Sequence, residues 1–228
     1  MRMCVIPARG GSKRIPKKNI KKFLGKPIIA YSIEAALESN CFEEVLVSTD
    51  DEEIAELSKK YGAYVPFIRP QKLSDDISNT LSVVKHAIEQ RDTNNNIENV
   101  LCLYATAPFV DAKTINQSYE NFIDSNASFC LGITNFTFPI QRAVRISHNN
   151  RIEMINEDNA NKNSQDLEEA FHDAGQFCWG KASAFKKELS IYSGSTVPYV
   201  IKNSYVQDID TIDDWIKAET MYRLLRLN

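Results

Sequence analysis

The residues with the clearest chemical capacity lie near the start of the 228-residue chain, where a short apolar run, Met3 to Pro7, feeds straight into Ala8-Arg9-Gly10-Gly11-Ser12-Lys13-Arg14-Ile15-Pro16-Lys17-Lys18-Asn19. Two glycines, a serine and the basic side chains of Arg9, Lys13, Arg14, Lys17 and Lys18 outline a polyanion cradle. Glycine lets backbone N–H groups approach an anion closely, and the cations supply the opposite charge that a triphosphate needs on leaving water. The spacing matches neither G-x-G-x-x-G nor G-x-x-x-x-G-K-[ST], and a solvated basic loop after an edge strand is the plainer alternative. A second cluster, Asp208-Ile209-Asp210, sits near the other end. Carboxylates at i and i+2 point to one side of an extended segment and can share a hard cation, with Mg²⁺ favoured where phosphates fill the remaining octahedral positions. The alternative there makes Asp210 or Thr211 the N-cap of a following helix with Asp213 and Asp214 in its first turn. Between the two, Arg69-Pro70, Ser74-Asp75-Asp76 and Ser78-Asn79-Thr80 gather the hydroxyls, amides and acids that recognise a nucleoside or cap a helix. Combined, these parts suit nucleotidyl transfer: a hydroxyl attacks the α-phosphorus, pyrophosphate leaves, and Lys18, Arg9 and a metal on Asp208 and Asp210 neutralise the growing charge.

Groups so far apart in sequence need a scaffold that returns the chain to one place. Short apolar runs alternate with helical segments, the pattern of βαβ units around a mostly parallel sheet. Strands are expected over 3–7, 43–49, 63–66, 100–105 and 128–134, through Trp179, and over 197–201 and 205–207. Helices are expected from Pro27 through Ile33 and Leu37, from Ile54 to a C-cap at Gly62, from Val83 to Ile88, over 111–124, around 182–189, and from Ile212 through Trp215, Ala218 and Tyr222. In open parallel sheets ligands collect beyond the carboxyl ends of the strands, so the loops after Pro7, Thr49 and Ala105 should face one crevice. The alternation changes after residue 134. Apolar residues on both sides of His148-Asn149-Asn150 predict a hairpin whose Ile140, Val144, Ile146, Ile152, Met154 and Ile155 need cover, from a second subunit or from their own domain. The polar, Asn-rich segment 156–168 suits a lid. The expectation is one domain, 1–228, with an inserted arm at about 136–170.

Bulk properties narrow the function classes. A net charge of −3 argues against a general nucleic-acid binder, so the basic loop is a local concentration suited to a small anionic ligand. Cys4, Cys41, Cys102, Cys130 and Cys178 are dispersed, without C-x-x-C or metal spacing, and read as buried free thiols of a cytoplasmic protein. Only about four apolar residues precede Arg9, too few for a signal peptide, and no apolar stretch has the length of a membrane span.

The run Ala-Arg-Gly-Gly-Ser-Lys-Arg-Ile-Pro-Lys-Lys-Asn resembles the N-terminal signature of the cytidylyltransferases that activate nine-carbon acidic sugars, the CMP-sialic acid synthetase (acylneuraminate cytidylyltransferase) family. The resemblance continues through Ser48-Thr49-Asp50-Asp51, Arg69-Pro70, Leu73-Ser74-Asp75-Asp76, Gln165-Asp166-Leu167, His172-Asp173-Ala174-Gly175-Gln176 and Gln207-Asp208-Ile209-Asp210-Thr211. Within the family the chain looks most like the bacterial branch that handles pseudaminic acid. The resemblance implies a Rossmann-like three-layer α/β/α nucleotidyltransferase fold, a hairpin insertion that serves dimerisation, CTP as donor with Mg²⁺, an acidic nine-carbon sugar as acceptor, and a homodimer. It also implies that Arg9, Gly10, Gly11, Ser12, Lys18 and Asn19 hold CTP, with Arg69 and Thr80 beside the nucleoside and Asp208 and Asp210 on the metal. Tyr104, Gln165, His172, Asp173 and Gln176 would face the sugar. Two departures bear on the sugar. Tyr104-Ala105-Thr106-Ala107-Pro108 stands where many sialate enzymes have Gln-Pro-Thr-Ser-Pro, which removes an amide aimed at the sugar. Asn163 stands where the pseudaminate branch commonly has arginine, so either Arg142 or Arg145 on the hairpin meets the sugar carboxylate or the sugar preference differs. Legionaminate or N-acetylneuraminate as acceptor, and a silent CTP sensor, are the competing readings.

Overall fold

The computed structural model describes residues 1–75, 79–94, 96–159 and 161–226, with the backbone alone of Ser164 and Arg226. Asp76 and Ser78 of the polar loop, and Asn95 of the polar turn, lie outside the described residues. In chain order the strands and helices are β1 (Arg2–Pro7), β2 (Lys22–Phe23), β3 (Lys26–Pro27), α1 (Ile28–Glu38), β4 (Glu44–Ser48), α2 (Glu52–Lys60), α3 (Thr80–Arg91), β5 (Asn99–Leu103), α4 (Ala112–Ser125), β6 (Phe129–Asn135), β7 (Val144–Ile146), β8 (Ile152–Met154), β9 (Phe171–Lys181), α5 (Ala182–Lys186), β10 (Thr196–Val200) and α6 (Ile212–Arg226).

The central sheet has the order β10-β6-β9-β5-β1-β4. β1 pairs parallel with β4 and β5, and β10 with β6, while β9 runs antiparallel between β5 and β6. Strand periodicity explains the layering. Met3 and Val5 face α3 and α5 through Val84, Ala87, Ile88 and Phe185, whereas Cys4 and Ile6 face α1, α2 and α4 through Ile29, Ile33, Ile54, Ile115 and Phe122. The result is the expected three-layer α/β/α sandwich.

A third apolar cluster has most consequence for function. Ile15 from the basic loop, Phe23, Ile28, Phe109, Ile209, Trp215 and Ala218 pack together. Ile15 is 1% exposed and Ile209 0%. Each such burial contributes about 1.5–3 kcal/mol, so the two ends of the chain are held together by hydrophobic packing on α6.

Most helix ends obey the chemistry of their caps. Asp51, Asn79 and Asp111 accept from Ile54 N, Ser82 N and Thr114 N to open α2, α3 and α4, and Gly62, with φ +92, follows the end of α2. Two expected strands are absent. Residues 63–66 reach the sheet only through one isolated bridge, Leu46 with Tyr64, because Pro66 lacks a donor and Tyr64 is exposed, and a second bridge, Thr49 with Ile68, follows. Residues 205–207 do not pair either, since Tyr205 N and Val206 N bond Lys202 O and Asn203 O in a 3₁₀ turn.

The hairpin is present. β7 and β8 pair Val144 with Met154, Arg145 with Glu153 and Ile146 with Ile152, around a turn with Asn150 at φ 55. Its own domain does not cover it: Val144, Ile146, Ile152 and Ile155 are all more than half exposed. The segment 156–168 contains two short 3₁₀ turns, Glu157–Asn159 and Ser164–Asp166.

Candidate active site

A cleft of about 300 Å³ opens at the carboxyl ends of β1 and β5. Its walls carry Arg9, Ser12, Lys13, Arg14, Lys18 and Asn19 from the basic loop, Arg69, Asp75 and Thr80 from the polar loop and the start of α3, Tyr104 and Thr106 after β5, and Asp210. The loops after Pro7 and Ala105 thus face one crevice, as the parallel-sheet rule requires, whereas no residue of the loop after Thr49 lines it and Asp50 there contacts Gly10 and Arg69.

The basic and acidic clusters meet directly. Lys18 Nζ donates to Ile209 O at 2.6 Å and lies 3.3 Å from Asp210 Oδ1, and an Arg14 guanidinium nitrogen stands 2.8 Å from the same oxygen. Competition for Asp210 as a helix cap is resolved one residue later. Asp214 N donates to Thr211 Oγ1 and Thr211 N to Asp214 Oδ2, so Thr211 and Asp214 cap α6 reciprocally and Asp210 remains available to the cleft. Asp208 is exposed as a residue, yet partial burial of its carboxyl and then the charge of Asp210 raise its pKa, Lys18 opposing.

The glycine-rich turn works differently from the expectation. Gly10 N donates to Asp50 Oδ1 at 2.9 Å, so that N–H is committed to a protein carboxylate. A Cβ at Gly10 would stand 2.7 Å from Asp51 Oδ2, and glycine is required because the loop lies directly on the residue that caps α2. Gly11 has open space around it and, like Gly10, does not line the cleft. Lys17, at φ 52, turns away from the cleft to Glu53. Asn19 is 7% exposed and donates to Arg9 O, pinning the two ends of the loop. Arg9 itself reaches Asp75 O.

Arg69 touches the cleft but is 4% exposed, and its guanidinium donates to Ser74 Oγ and Ser48 O and pairs with Asp50 at 3.8 Å. Burial lowers its pKa, with Asp50 opposing. It is a brace beneath the site. Thr80 and Tyr104 share a side-chain hydrogen bond, and burial pushes the Tyr104 phenol well up.

Of the residues expected at the sugar, Tyr104 lines this cleft, whereas Gln165, His172, Asp173 and Gln176 do not. Gln165 is exposed in its 3₁₀ turn. His172 is exposed, with Nδ1 donating to Asp173 O and its ring beside Phe136. Gln176 is 2% exposed and donates to Tyr205 O. Asp173 lies closer to the acidic pair. It accepts from Gly175 N and from the hydroxyl of the exposed Tyr192, and a Cβ at Gly175, φ +62, would stand 3.5 Å from Asp208 Cγ. The sheet register shifts at this point, which re-aims the start of β9. Sequence reading missed Arg14 on Asp210, Asp50 under Gly10, and Tyr192 on Asp173. The strand-ending Asp50-Asp51 was a visible signal for the second; Tyr192 had none.

Comparison with known proteins bears on family and fold. A model of the cytidylyltransferase family matches residues 3–210. The chain is 47% identical over 223 residues, 97% of its length and 96% of the relative's, to the pseudaminic acid cytidylyltransferase of Campylobacter jejuni. It is 34% identical over 208 residues, 91% of its length and 40% of the relative's, to a Helicobacter pylori protein named as pseudaminic acid cytidylyltransferase and UDP-2,4-diacetamido-2,4,6-trideoxy-beta-L-altropyranose hydrolase. Among solved structures, a CMP:2-keto-3-deoxy-manno-octonic acid synthetase complexed with CTP superposes with a TM-score of 0.72 over 98% of both chains at 15% identity, a likeness of fold.

Proposed function

The chain belongs to the cytidylyltransferase family, and from that premise we propose that it transfers CMP from CTP to the anomeric hydroxyl of pseudaminic acid, giving CMP-pseudaminic acid and pyrophosphate. The observation that carries the reading is the meeting of Lys18 and Asp210, 3.3 Å apart, in a cleft walled by cations and hydroxyls.

In this reading the triphosphate lies on the 9–19 loop. Arg9 and Lys18 hold its phosphates, Ser12 and Asn19 support the loop, and Thr80 and the braced Arg69 flank the nucleoside. Charge grows on the α-phosphate and the leaving pyrophosphate as the hydroxyl attacks, and Lys18 offsets it without moving far.

Asp208 and Asp210 fit a hard divalent cation. Burial of the Asp208 carboxyl, and then the charge of Asp210, raise its pKa, a cost that such an ion would relieve, and oxygen donors suit Mg²⁺. Among the described residues no group of three His, Cys, Asp or Glu side chains could hold a metal ion, so this ion would take its remaining ligands from phosphate oxygens and water. When bound it would neutralise phosphate charge beside Lys18. Tyr104, which lines the cleft, and Asp173, next to the Gly175 turn that lies on Asp208, would meet the acceptor sugar, together with Gln165, His172 and Gln176 from outside the cleft. The uncovered hairpin would dock on a second copy to form a homodimer, and five buried thiols with a CTP substrate suit the cytoplasm.

Pyrophosphate release from CTP and Mg²⁺, measured with pseudaminic, legionaminic and N-acetylneuraminic acids, tests the reading. Pseudaminic acid should react fastest, and Asp210→Asn should lose on the order of 10²–10³ in rate with the fold retained. A faster reaction with another sugar reassigns the acceptor, and no release with any of them leaves a CTP sensor.

A further inference from the structure

Arg14 has no part in the mechanism above, yet it is nearer to Asp210 than Lys18 is, 2.8 Å against 3.3 Å on the same Oδ1. Both cations and the carboxylate line the cleft. One oxygen that would be needed by a metal is therefore already taken by two cations. The Arg14 side chain is 65% exposed, so nothing packs it in place, and an exposed pair of this kind adds little as a brace. Arg69 shows the contrast, with its side chain 2% exposed against Asp50.

Resting on the CTP reading of this cleft, we propose that Arg14 is a triphosphate-binding residue held on Asp210 until the nucleotide arrives. Binding exchanges partners: Arg14 and Lys18 pass from the carboxylate to phosphate oxygens, and Asp210 is released to the metal that accompanies them. The guanidinium fork suits this step, because it matches phosphate oxygens as well as it matches a carboxylate. A metal arriving alone must expel two cations from the oxygen that it needs. A nucleotide arriving alone must draw the same cations away from Asp210. Each ligand therefore removes the obstacle to the other, and their affinities rise together by the same factor.

The test is metal-free CTP binding, titrated calorimetrically in EDTA, to the wild type, Arg14→Gln, Asp210→Asn and the double variant, with Lys18→Met as a check on the cleft. Asp210→Asn should bind metal-free CTP roughly tenfold more tightly than the wild type, because it frees the held cations, although it loses activity with Mg²⁺. Arg14→Gln should bind more weakly. The gain from Asp210→Asn should be at least about threefold smaller in the Arg14→Gln background, since part of it is the release of Arg14. No gain from Asp210→Asn, or an equal gain in both backgrounds, overturns the exchange while leaving the cytidylyltransferase site standing. If none of the proteins binds CTP, or Lys18→Met binds as the wild type does, the cleft is not the CTP site and both readings fall.

Discussion

At the scale of single residues, the cations around the cleft divide by burial into those that brace and those that can act. Removing the Arg69 side chain as Arg69→Ala takes the only paired cation among the described residues from Asp50, whose side chain is 15% exposed and keeps Gly10 N, and one of two donors from Ser48 O. That should cost about 3–5 kcal/mol, read as a lower urea midpoint. Lys18→Met should leave the midpoint nearly unchanged while kcat/KM for CTP falls on the order of 10²–10³. Asp208 makes a pH prediction of opposite sign to the usual carboxylate. Its folded pKa lies above its unfolded one, so its ionised form costs stability at every pH above both values, and the cost fades as pH falls through the folded value. Without metal, Asp208→Asn should therefore unfold at a higher temperature than the wild type at roughly pH 7, and the advantage should be gone by about pH 3, below the ordinary aspartate pKa. The types of these residues were legible in sequence, but their roles were not. Arg9, Arg14, Lys17 and Lys18 look alike in a basic run, yet a left-handed Lys17 sends one to Glu53 while two others share Asp210.

Elements were easiest to read where local chemistry decides them. Asp51, Asn79 and Asp111 cap helices that their sequences announce, and β1 and β5 are apolar runs buried on both faces. Reading failed where a tertiary partner overrides the local pattern. Tyr205 to Gln207 has strand composition, but its N–H groups close a turn and Tyr205 O takes Gln176. Gly10 was read as an anion contact, whereas its N–H is spent on Asp50 and its missing Cβ makes room for the α2 cap. Gly10→Ala should accordingly push the basic loop off α2, loosening a cap interaction of about 1 kcal/mol and raising KM for CTP more than it lowers kcat. Thermal unfolding and steady-state kinetics on the same sample separate the two effects.

Over the whole molecule, nothing in the spacing of Lys18 and Ile209, 191 positions apart, says that they touch. The family signature implied only that the basic loop and the acidic pair serve one CTP, and the physical reason they meet is the packing of Ile15 and Ile209 against Phe23 and Trp215. The hairpin was legible as an uncovered apolar arm but not its destination. With Ile146 at 75% and Ile152 at 76% exposed, Ile146→Lys should halve the sedimenting mass of a dimer built on this face while leaving the circular dichroism of the chain unchanged. The five free thiols are all buried, and burial pushes Cys102 up to about 12 and Cys130 to about 11. A folded molecule therefore offers almost no reactive sulfur, and alkylation becomes a clock for transient opening. Because CTP would stabilise only the closed form, the slowing of that clock with nucleotide concentration should trace the occupancy of the cleft without label, cofactor or acceptor sugar.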